Sequence, residues 1–402
     1  MSLMQDYLII FLILSMVSSG LSTTTPSGYF NVIEYGAVGN GKTDDSQAFI
    51  KAWKAVCQVQ TSRPILIIPA KKSFLLNPVT FSGPCKSFKI HVQVSGNIVA
   101  PNQKSAWNGK ATNRWLAFSN VNGLTVSGQG HIDGRGSVWW PQPCLQNGQN
   151  CKAPTALTFY RCNNLRLNGL THLNSPRVHI ILTSCTGAII SNLRILAPET
   201  SPNTDGIDIS GSKNVQIRNL NIGTGDDCIA IGGGSSNINI TGVYCGPGHG
   251  ISIGALGNGG YDVVEDVHVR NCTIKGTLTG VRIKTWQGGS GYARKISFQN
   301  IKFIAANSPI IIDQYYCPSR VNCQNHTSAL KLSDISYTGI SGTSASDKAI
   351  DLSCSQSAAC TNIVLDRVYI KPAVQGRPVY ASCFNAHGRA THTKPAVKCL
   401  LP

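Results

Sequence analysis

A short pattern of apolar and polar positions recurs along the chain from about residue 164 to residue 370. In each copy two apolar residues flank one spacer, and a polar or small residue and a third apolar residue follow, as in NVQIRNLNI and NIVLDRVYI. Alternation of this kind, with β-branched residues and Gly or Asn turns, predicts short strands. The second apolar residue recurs every 23 to 34 residues, at Leu167, Ile190, Ile217, Ile240, Val269, Phe298, Leu332 and Leu365.

A period of this length is typical of a solenoid, in which each coil stacks its strands on those of the previous coil. The leucine pattern of leucine-rich horseshoes is missing, so we predict an all-β fold, a right-handed single-stranded parallel β-helix. The usual rule for parallel crossovers favours this handedness, and the family resemblance described below implies it as well. Four copies also carry asparagine two residues after the second apolar residue, which predicts a ladder of stacked side chains at Asn192, Asn219, Asn271 and Asn300.

Residues 35–49, YGAVGNGKTDDSQAF, match the phosphate-binding motif G-x-x-x-x-G-K-[ST]. Asp44 and Asp45 follow the motif directly and would repel phosphate at a helix start. The next apolar strand also lacks an acidic residue that could help to hold Mg²⁺. We therefore predict a structural role: a helix that begins near Asp44, with Asp44 and Gln47 spaced as a capping box, and covers the N-terminal end of the solenoid.

The N-terminal segment is typical of a secretion signal, because residues 8–17 form an apolar run too short to cross a bilayer and small residues follow it. We assign residues 1–22 to a cleaved signal peptide and residues 23–402 to one β-helix domain. Fifteen cysteines suit an oxidising, extracellular compartment. Possible N-glycosylation sequons begin at Asn239, Asn271 and Asn325.

The charge balance is strongly basic, with 35 Lys and Arg against 18 Asp and Glu and a net charge of +17. Basic secreted proteins often bind polyanions, and outside the cell these are acidic polysaccharides more often than nucleic acid. General adhesion to a negatively charged matrix would explain the charge equally well. We expect an acidic polysaccharide partner, and neither nucleic acid nor a membrane.

Candidate chemistry is spaced about one coil apart. In a β-helix such residues lie above one another at the strand spacing of about 4.8 Å. One wall would therefore carry a group of ionisable side chains: Asp205, Asp226, Asp227, His249, Arg282 and Lys284. Three carboxylates this close cannot all ionise without cost, so at least one should have a raised pKa. A protonated carboxyl beside an ionised one is what glycoside hydrolysis requires. A Ca²⁺ site, or acidic turn residues in a solvated loop, would also explain the carboxylates.

Four blocks around these residues, SPNTDGI, GTGDDC, GPGHGISIG and RIKTW, resemble in order and spacing the signature blocks of polygalacturonases of glycoside hydrolase family 28. The opening segment FNVIEYGAVGNGKTDDSQAF is similar to that of the plant members. The resemblance extends from about residue 28 to the C-terminus. One departure is Ala255, where the family usually has serine. The resemblance implies a secreted, cell-wall enzyme that hydrolyses the α-1,4-galacturonosyl bonds of pectin without a cofactor, and we expect a monomer.

The resemblance also implies a role for each site residue. Asp226 would be the general acid, and Asp205 and Asp227 would hold and activate the attacking water. His249 would tune the protonation of the acid. Substrate would be held by Arg282, Lys284, Asn203 and Tyr316. The family inverts the anomeric configuration in a single displacement.

The resemblance suggests a disulfide between Cys228 and Cys245 beside the site. Plausible local bridges join Cys57 to Cys85, Cys317 to Cys323, Cys354 to Cys360 and Cys383 to Cys399. Two other functions stay open at this point: a Ca²⁺-dependent pectate lyase with a similar fold, and a pectin-binding β-helix without turnover. The motifs do not distinguish attack inside the chain from attack at its ends.

Overall fold

The computed structural model describes residues 28–107, 113–141, 153–317, 323 and 326–402. The predicted signal peptide, residues 1–22, and the sequon at Asn325 lie outside the described residues. Within them, no helix is long and apolar enough to span a membrane.

Parallel strands in two sheets make up most of the described chain. One sheet, which we call the cleft sheet, takes one strand from each successive coil in chain order, and all its pairings are parallel. Its eleven described strands are Val79–Ser82, Arg114–Ser119, Thr155–Tyr160, Ile180–Thr183, Ile207–Ser210, Ile229–Ile231, Ile251–Leu256, Thr279–Trp286, Ser308–Tyr316, Lys348–Ser353 and Tyr380–Phe384.

The second sheet, the wide sheet, takes two short strands from each early coil, and these merge into one long strand per coil from Lys213 onward. Its nineteen described strands are Tyr29–Asn31, Asn40–Asp44, Ile65–Ile68, Ser73–Leu75, Ile90–Val94, Asn97–Val99, Leu124–Ser127, His131–Asp133, Arg166–Asn168, Thr171–Leu173, Ile189–Ser191, Arg194–Leu196, Lys213–Gly223, Ser235–Cys245, Tyr261–Lys275, Ser290–Ala306, Lys331–Ser344, Cys360–Pro372 and Ala386–Lys394. Apolar side chains of both sheets fill the space between them and form the core.

The coil markers read from the sequence lie in one register row, with one exception. Leu167, Ile190, Ile217, Ile240, Val269 and Phe298 pair with one another in consecutive coils. The next member of the row is Tyr337, whose ring stacks on Phe298 with centroids 5.2 Å apart. The prediction of Leu332 was wrong, because that residue pairs with Ala293 instead. This coil is longer than the earlier ones, so the alternation alone placed the marker too early.

The asparagine ladder is present in two segments. Asn219 Nδ2 lies 3.5 Å from Asn192 Oδ1, and Asn300 Nδ2 lies 3.3 Å from Asn271 Oδ1. All four residues have φ between 53° and 57°, a left-handed conformation that asparagine tolerates better than most residues. In the coil between the two segments, Gly242 occupies the ladder position instead of asparagine. A Cβ at Gly242 would lie 2.8 Å from Asn219 Oδ1, so a larger residue would crowd the asparagine below it.

The predicted end-covering helix is present as Ser46–Gln58, and it buries Phe49, Trp53 and Val56 against the first coils. Its capping differs from the prediction. The helix begins at Ser46, after an N-cap at Asp45 without a side-chain cap, so the Asp44–Gln47 capping box was wrong. The motif-like residues before the helix form the strand Asn40–Asp44. Short 3₁₀ turns occur at Val32–Tyr35, Lys104–Trp107 and Gly136–Val138.

The five disulfides expected from the sequence are all formed: Cys57–Cys85, Cys228–Cys245, Cys317–Cys323, Cys354–Cys360 and Cys383–Cys399. Among the described cysteines, Cys162, Cys185 and Cys272 are free and buried. Cys228 directly follows Asp227, so its bridge to Cys245 fixes the backbone beside the carboxylate cluster.

Candidate active site

The candidate site lies along the cleft sheet, where each coil adds one strand to the same wall. Ile207 and Ile209 point into the core, so Asp208 between them points to the other face. The register continues this outer row from Asp208 through Ala230 and Ser252 to Arg282. Side chains that are distant in sequence therefore stand next to one another, as the coil spacing predicts.

The segments that enter these strands carry the other polar groups. The backbone N–H of Gly206 donates to Asp227 O at 2.9 Å, and that of Cys228 donates to Gly250 O at 2.8 Å. These bonds align three consecutive coils at the same edge of the sheet. Asp205, Asp227 and His249 consequently occupy equivalent positions in neighbouring coils, and Asp226 lies one residue before this row.

Asp226 and His249 form the pair that faces the cleft. His249 Nδ1 lies 2.8 Å from Asp226 Oδ1, and Asn203 Nδ2 lies 3.4 Å from Asp226 Oδ2. Burial alone would raise the pKa of Asp226, but the hydrogen bond and charge of His249, with the charge of Lys284, outweigh it and lower that pKa. Asp226 is therefore ionised at neutral pH in the free protein.

Asp227 lies beneath the cleft and is only 1 % exposed. Its Oδ2 accepts from Lys284 Nζ and its Oδ1 accepts from Arg282 Nη2 and Ser252 Oγ, each at 2.8 Å. Arg282 Nε also donates to Ser252 Oγ at 3.0 Å. Two cations surround one carboxylate, so these three side chains carry one net positive charge between them.

Asp205 has the opposite electrostatic environment to Asp226. Burial is the largest cause, followed by the charges of nearby carboxylates, Asp208 first, and together they raise the pKa of Asp205 well above its usual value. Lys284 opposes this shift without cancelling it. The expectation that one carboxyl of the cluster has a raised pKa is therefore met, although by Asp205 rather than by Asp226.

A cleft of about 800 Å³ opens over these groups. Six of the eight residues predicted for the site line it: Asn203, Asp226, His249, Arg282, Lys284 and Tyr316. The Tyr316 ring packs edge-on against Trp286 and lies 5.3 Å from Lys284 Nζ, so it forms one wall beside the cations. The two other predicted residues do not line the cleft: Asp227 lies below its floor, and Asp205 lies beside it.

Sequence reasoning missed three residues of this site. Ser252 links Asp227 to Arg282. Asp208, three residues after Asp205, has a pKa raised to about 7, first by burial and next by Asp227. His179 lies under the loop of Asp205: its Nδ1 donates to Asp205 O at 3.1 Å, while its Nε2 accepts from the Ser175 N–H at 3.3 Å. The alternation of DGIDIS could have identified Asp208, since it places that side chain on the cleft face.

Asp226, Asp227 and His249 could each offer one ligand atom to a cation, and these atoms lie within 4.8 Å of one another. Both oxygens of Asp227, however, already accept from Arg282 and Lys284. A divalent cation would have to compete with these two fixed positive charges. The donor set therefore fits a metal poorly.

The family model described as glycosyl hydrolases family 28 matches residues 57–394. The chain belongs to glycoside hydrolase family 28. It is 47 % identical over 385 residues to a probable polygalacturonase of Arabidopsis thaliana, a match that covers 94 % of this chain and 82 % of the relative. It is 44 % identical to a polygalacturonase of Persea americana over 369 residues, or 90 % of this chain and 78 % of the relative.

Solved structures of other proteins share the fold of this family 28 chain. An exopolygalacturonase of Thermotoga maritima superimposes with a TM-score of 0.75 at 20 % identity, over 92 % of this chain and 93 % of the other. A polygalacturonase of Erwinia carotovora gives a TM-score of 0.72 at 20 % identity, over 93 % and 99 %. These likenesses confirm the predicted fold class, a right-handed parallel β-helix with one N-terminal helix.

Proposed function

We propose that this chain is a polygalacturonase that hydrolyses the α-1,4-galacturonosyl linkages of pectin and polygalacturonate. The observation that carries the proposal is the Asp226–His249 pair at the floor of a cleft whose buried cations, Arg282 and Lys284, exceed their carboxylate partner by one charge. The two cations attract the carboxylate of an acidic sugar and so place the sugar next to Asp226. Membership of family 28 and the named relatives support the same reaction.

Asp226 acts as the general acid in this proposal. In the free protein Asp226 is ionised, since its pKa is lowered. A galacturonate carboxylate bound beside Asp226 brings negative charge to the pair, and a nearby negative charge raises the pKa of a carboxyl group. With its pKa raised in this way, Asp226 binds a proton and delivers it to the glycosidic oxygen, while His249 at 2.8 Å holds the carboxyl group in place.

The attacking water is held by Asp205 and Asp227 on the other side of the bond. Arg282 and Lys284 hold the Asp227 carboxylate in place, and its Oδ2, which accepts from Lys284 Nζ, has a second lone pair that can accept from the water. In its ionised form Asp205 accepts the proton that the water loses, and the raised pKa makes that form a stronger base than an ordinary carboxylate. A water that attacks from the face opposite the leaving group inverts the anomeric carbon in one displacement. Asn203 and Tyr316 contact the sugar rings at the cleft wall.

The expected location follows from the same substrate. Pectin is a wall polysaccharide, and the net charge of +17 suits a polyanionic matrix. We propose that residues 1–22 direct the chain to secretion, that residues 23–402 act as one extracellular, monomeric domain, and that the reaction needs no cofactor. Five disulfides are consistent with an oxidising compartment.

Digestion of polygalacturonate by the purified protein tests the proposal, with and without EDTA, by following reducing ends and unsaturated products together. We expect EDTA-insensitive reducing ends, no unsaturation, and products whose size distinguishes internal from terminal attack. Asp226→Asn should lower kcat by about 10²- to 10⁴-fold, whereas Asp334→Asn, a matched change at an exposed position of the wide sheet, should not. Unsaturated products that EDTA abolishes would indicate a lyase, and binding without turnover would indicate a pectin-binding protein.

A further inference from the structure

A second, smaller cavity adjoins the cleft on the far side of His249. Its volume is about 370 Å³, and it shares His249, Leu278 and Asn307 with the lining of the larger cleft. Both volumes lie in the range of pockets that bind small ligands. A polysaccharide bound over Asp226 and His249 would therefore continue from the larger cleft into this cavity, which we call the Glu199 cavity.

The two spaces differ in charge. The larger cleft contains Arg282 and Lys284. Among the described residues that line the Glu199 cavity there is no Lys or Arg, and Glu199 is the residue that carries a negative charge. Glu199 is exposed, and no ion pair within the described part of the chain neutralises it. A free galacturonate carboxylate in this cavity would face a like charge without a compensating cation.

The wall of the Glu199 cavity is also partly apolar. Leu278 is 51 % exposed and lines the cavity. Gly248 and Gly276 contribute only backbone to this wall, so no side chain projects from it at these two positions. A methyl ester differs from a galacturonate carboxylate in two ways that matter here, because it has no charge to be repelled and adds an apolar group that can contact Leu278.

We propose that the Glu199 cavity is a subsite for methyl-esterified galacturonate, and that Glu199 and Leu278 select the uncharged ester there. The enzyme then binds pectin asymmetrically. It selects a free galacturonate carboxylate over Arg282 and Lys284, and an esterified galacturonate on the other side of the Asp226–His249 pair. This inference rests on the proposed function for the orientation of the sugar chain. The selectivity itself, however, depends on the charge difference between the larger cleft and the Glu199 cavity. A binding experiment can test it without turnover.

The binding test uses Asp226→Asn protein, so that no turnover is needed. Affinities for unesterified and for partly methyl-esterified oligogalacturonates are compared by calorimetry, before and after Glu199→Lys. We expect Glu199→Lys to move the affinity ratio about tenfold toward the unesterified oligomer, because a repulsive charge in the Glu199 cavity becomes attractive. Glu34→Lys, the same charge change on an exposed 3₁₀ turn at the N-terminal end, should leave the ratio unchanged.

The turnover test uses protein with Asp226 intact. Partly esterified pectin should yield products whose two new ends differ: the residues from the Arg282 side lack the ester, and those from the Glu199 side retain it, as mass spectrometry of the fragments can show. Equal ester content on both sides, or an affinity ratio that Glu199→Lys does not move, would overturn the subsite. If the ratio moves as expected but no reducing ends appear, the subsite stands and the hydrolase proposal fails.

Discussion

Asp227→Asn is the sharpest test of how the buried charges of this site are arranged. Asparagine has the same shape as aspartate but no charge, so the substitution leaves Arg282 and Lys284 in place and removes the group that neutralises them. Both cations lie 2.8 Å from Asp227 oxygens, and the side chains are 13 %, 9 % and 1 % exposed for Arg282, Lys284 and Asp227. The variant therefore contains two adjacent buried positive charges without a carboxylate between them.

The size of the effect follows from these distances. At 2.8 Å and an effective dielectric constant of about 20, each Asp227–cation pair has a gross attraction of about 6 kcal/mol, most of which offsets the cost of desolvation. Removing one partner of a buried pair typically costs about 3–5 kcal/mol of unfolding free energy. Lys284→Met, by contrast, leaves the neutral Asp227–Arg282 pair intact, so we expect it to cost about 1 kcal/mol or less.

Urea unfolding at pH 7 gives these free energies, and a double-mutant cycle isolates the coupling between Asp227 and Lys284. We expect Asp227→Asn to be the more destabilising variant and the double variant to recover about 2 kcal/mol of its loss. Lys284→Met should raise KM, because the charge excess that attracts the substrate is gone. If the two single variants cost the same, or if Asp227→Asn is neutral, the reasoning about the buried charge excess is refuted.

Three further predictions concern groups around the site. His249→Gln removes the main interaction that lowers the pKa of Asp226, so that pKa, followed by carboxyl NMR, should rise; an unchanged value would contradict the pairing. His179→Ala should lower kcat about tenfold with little change in KM, since the imidazole holds the Asp205 backbone and touches no sugar; a change confined to KM would argue against a positioning role. Asp208, with its pKa raised to about 7, binds its proton more tightly in the folded state, so stability should fall as pH rises from about 4 to 7. Asp208→Asn should therefore stabilise the protein by roughly 2 kcal/mol at pH 7 and much less at pH 4, and equal effects at both pH values would count against it.

Much of the candidate site could be predicted because β-helix geometry converts sequence spacing into distance. Asp226 and His249 are 23 residues apart, close to one coil, and their side chains meet at 2.8 Å. The same logic failed for Leu332, because the coil before Tyr337 is longer and alternation cannot locate where an insertion ends. It also failed for the N-terminal cap, since Asp45 accepts from the backbone N–H groups of Val38 and Gly39 rather than capping the helix.

The sequence by itself determined the solenoid, the family and the chemical types at the site, because a repeating pattern and four spaced motifs are local features of the chain. Tertiary structure alone decided which charges surround each carboxyl group. Asp226 and Asp227 are neighbours in sequence, yet one faces the cleft with His249 and the other is buried between two cations from distant coils. A pKa depends on burial and on charges a few ångströms away, and these are set by the stacking register of coils rather than by the residues next in the chain.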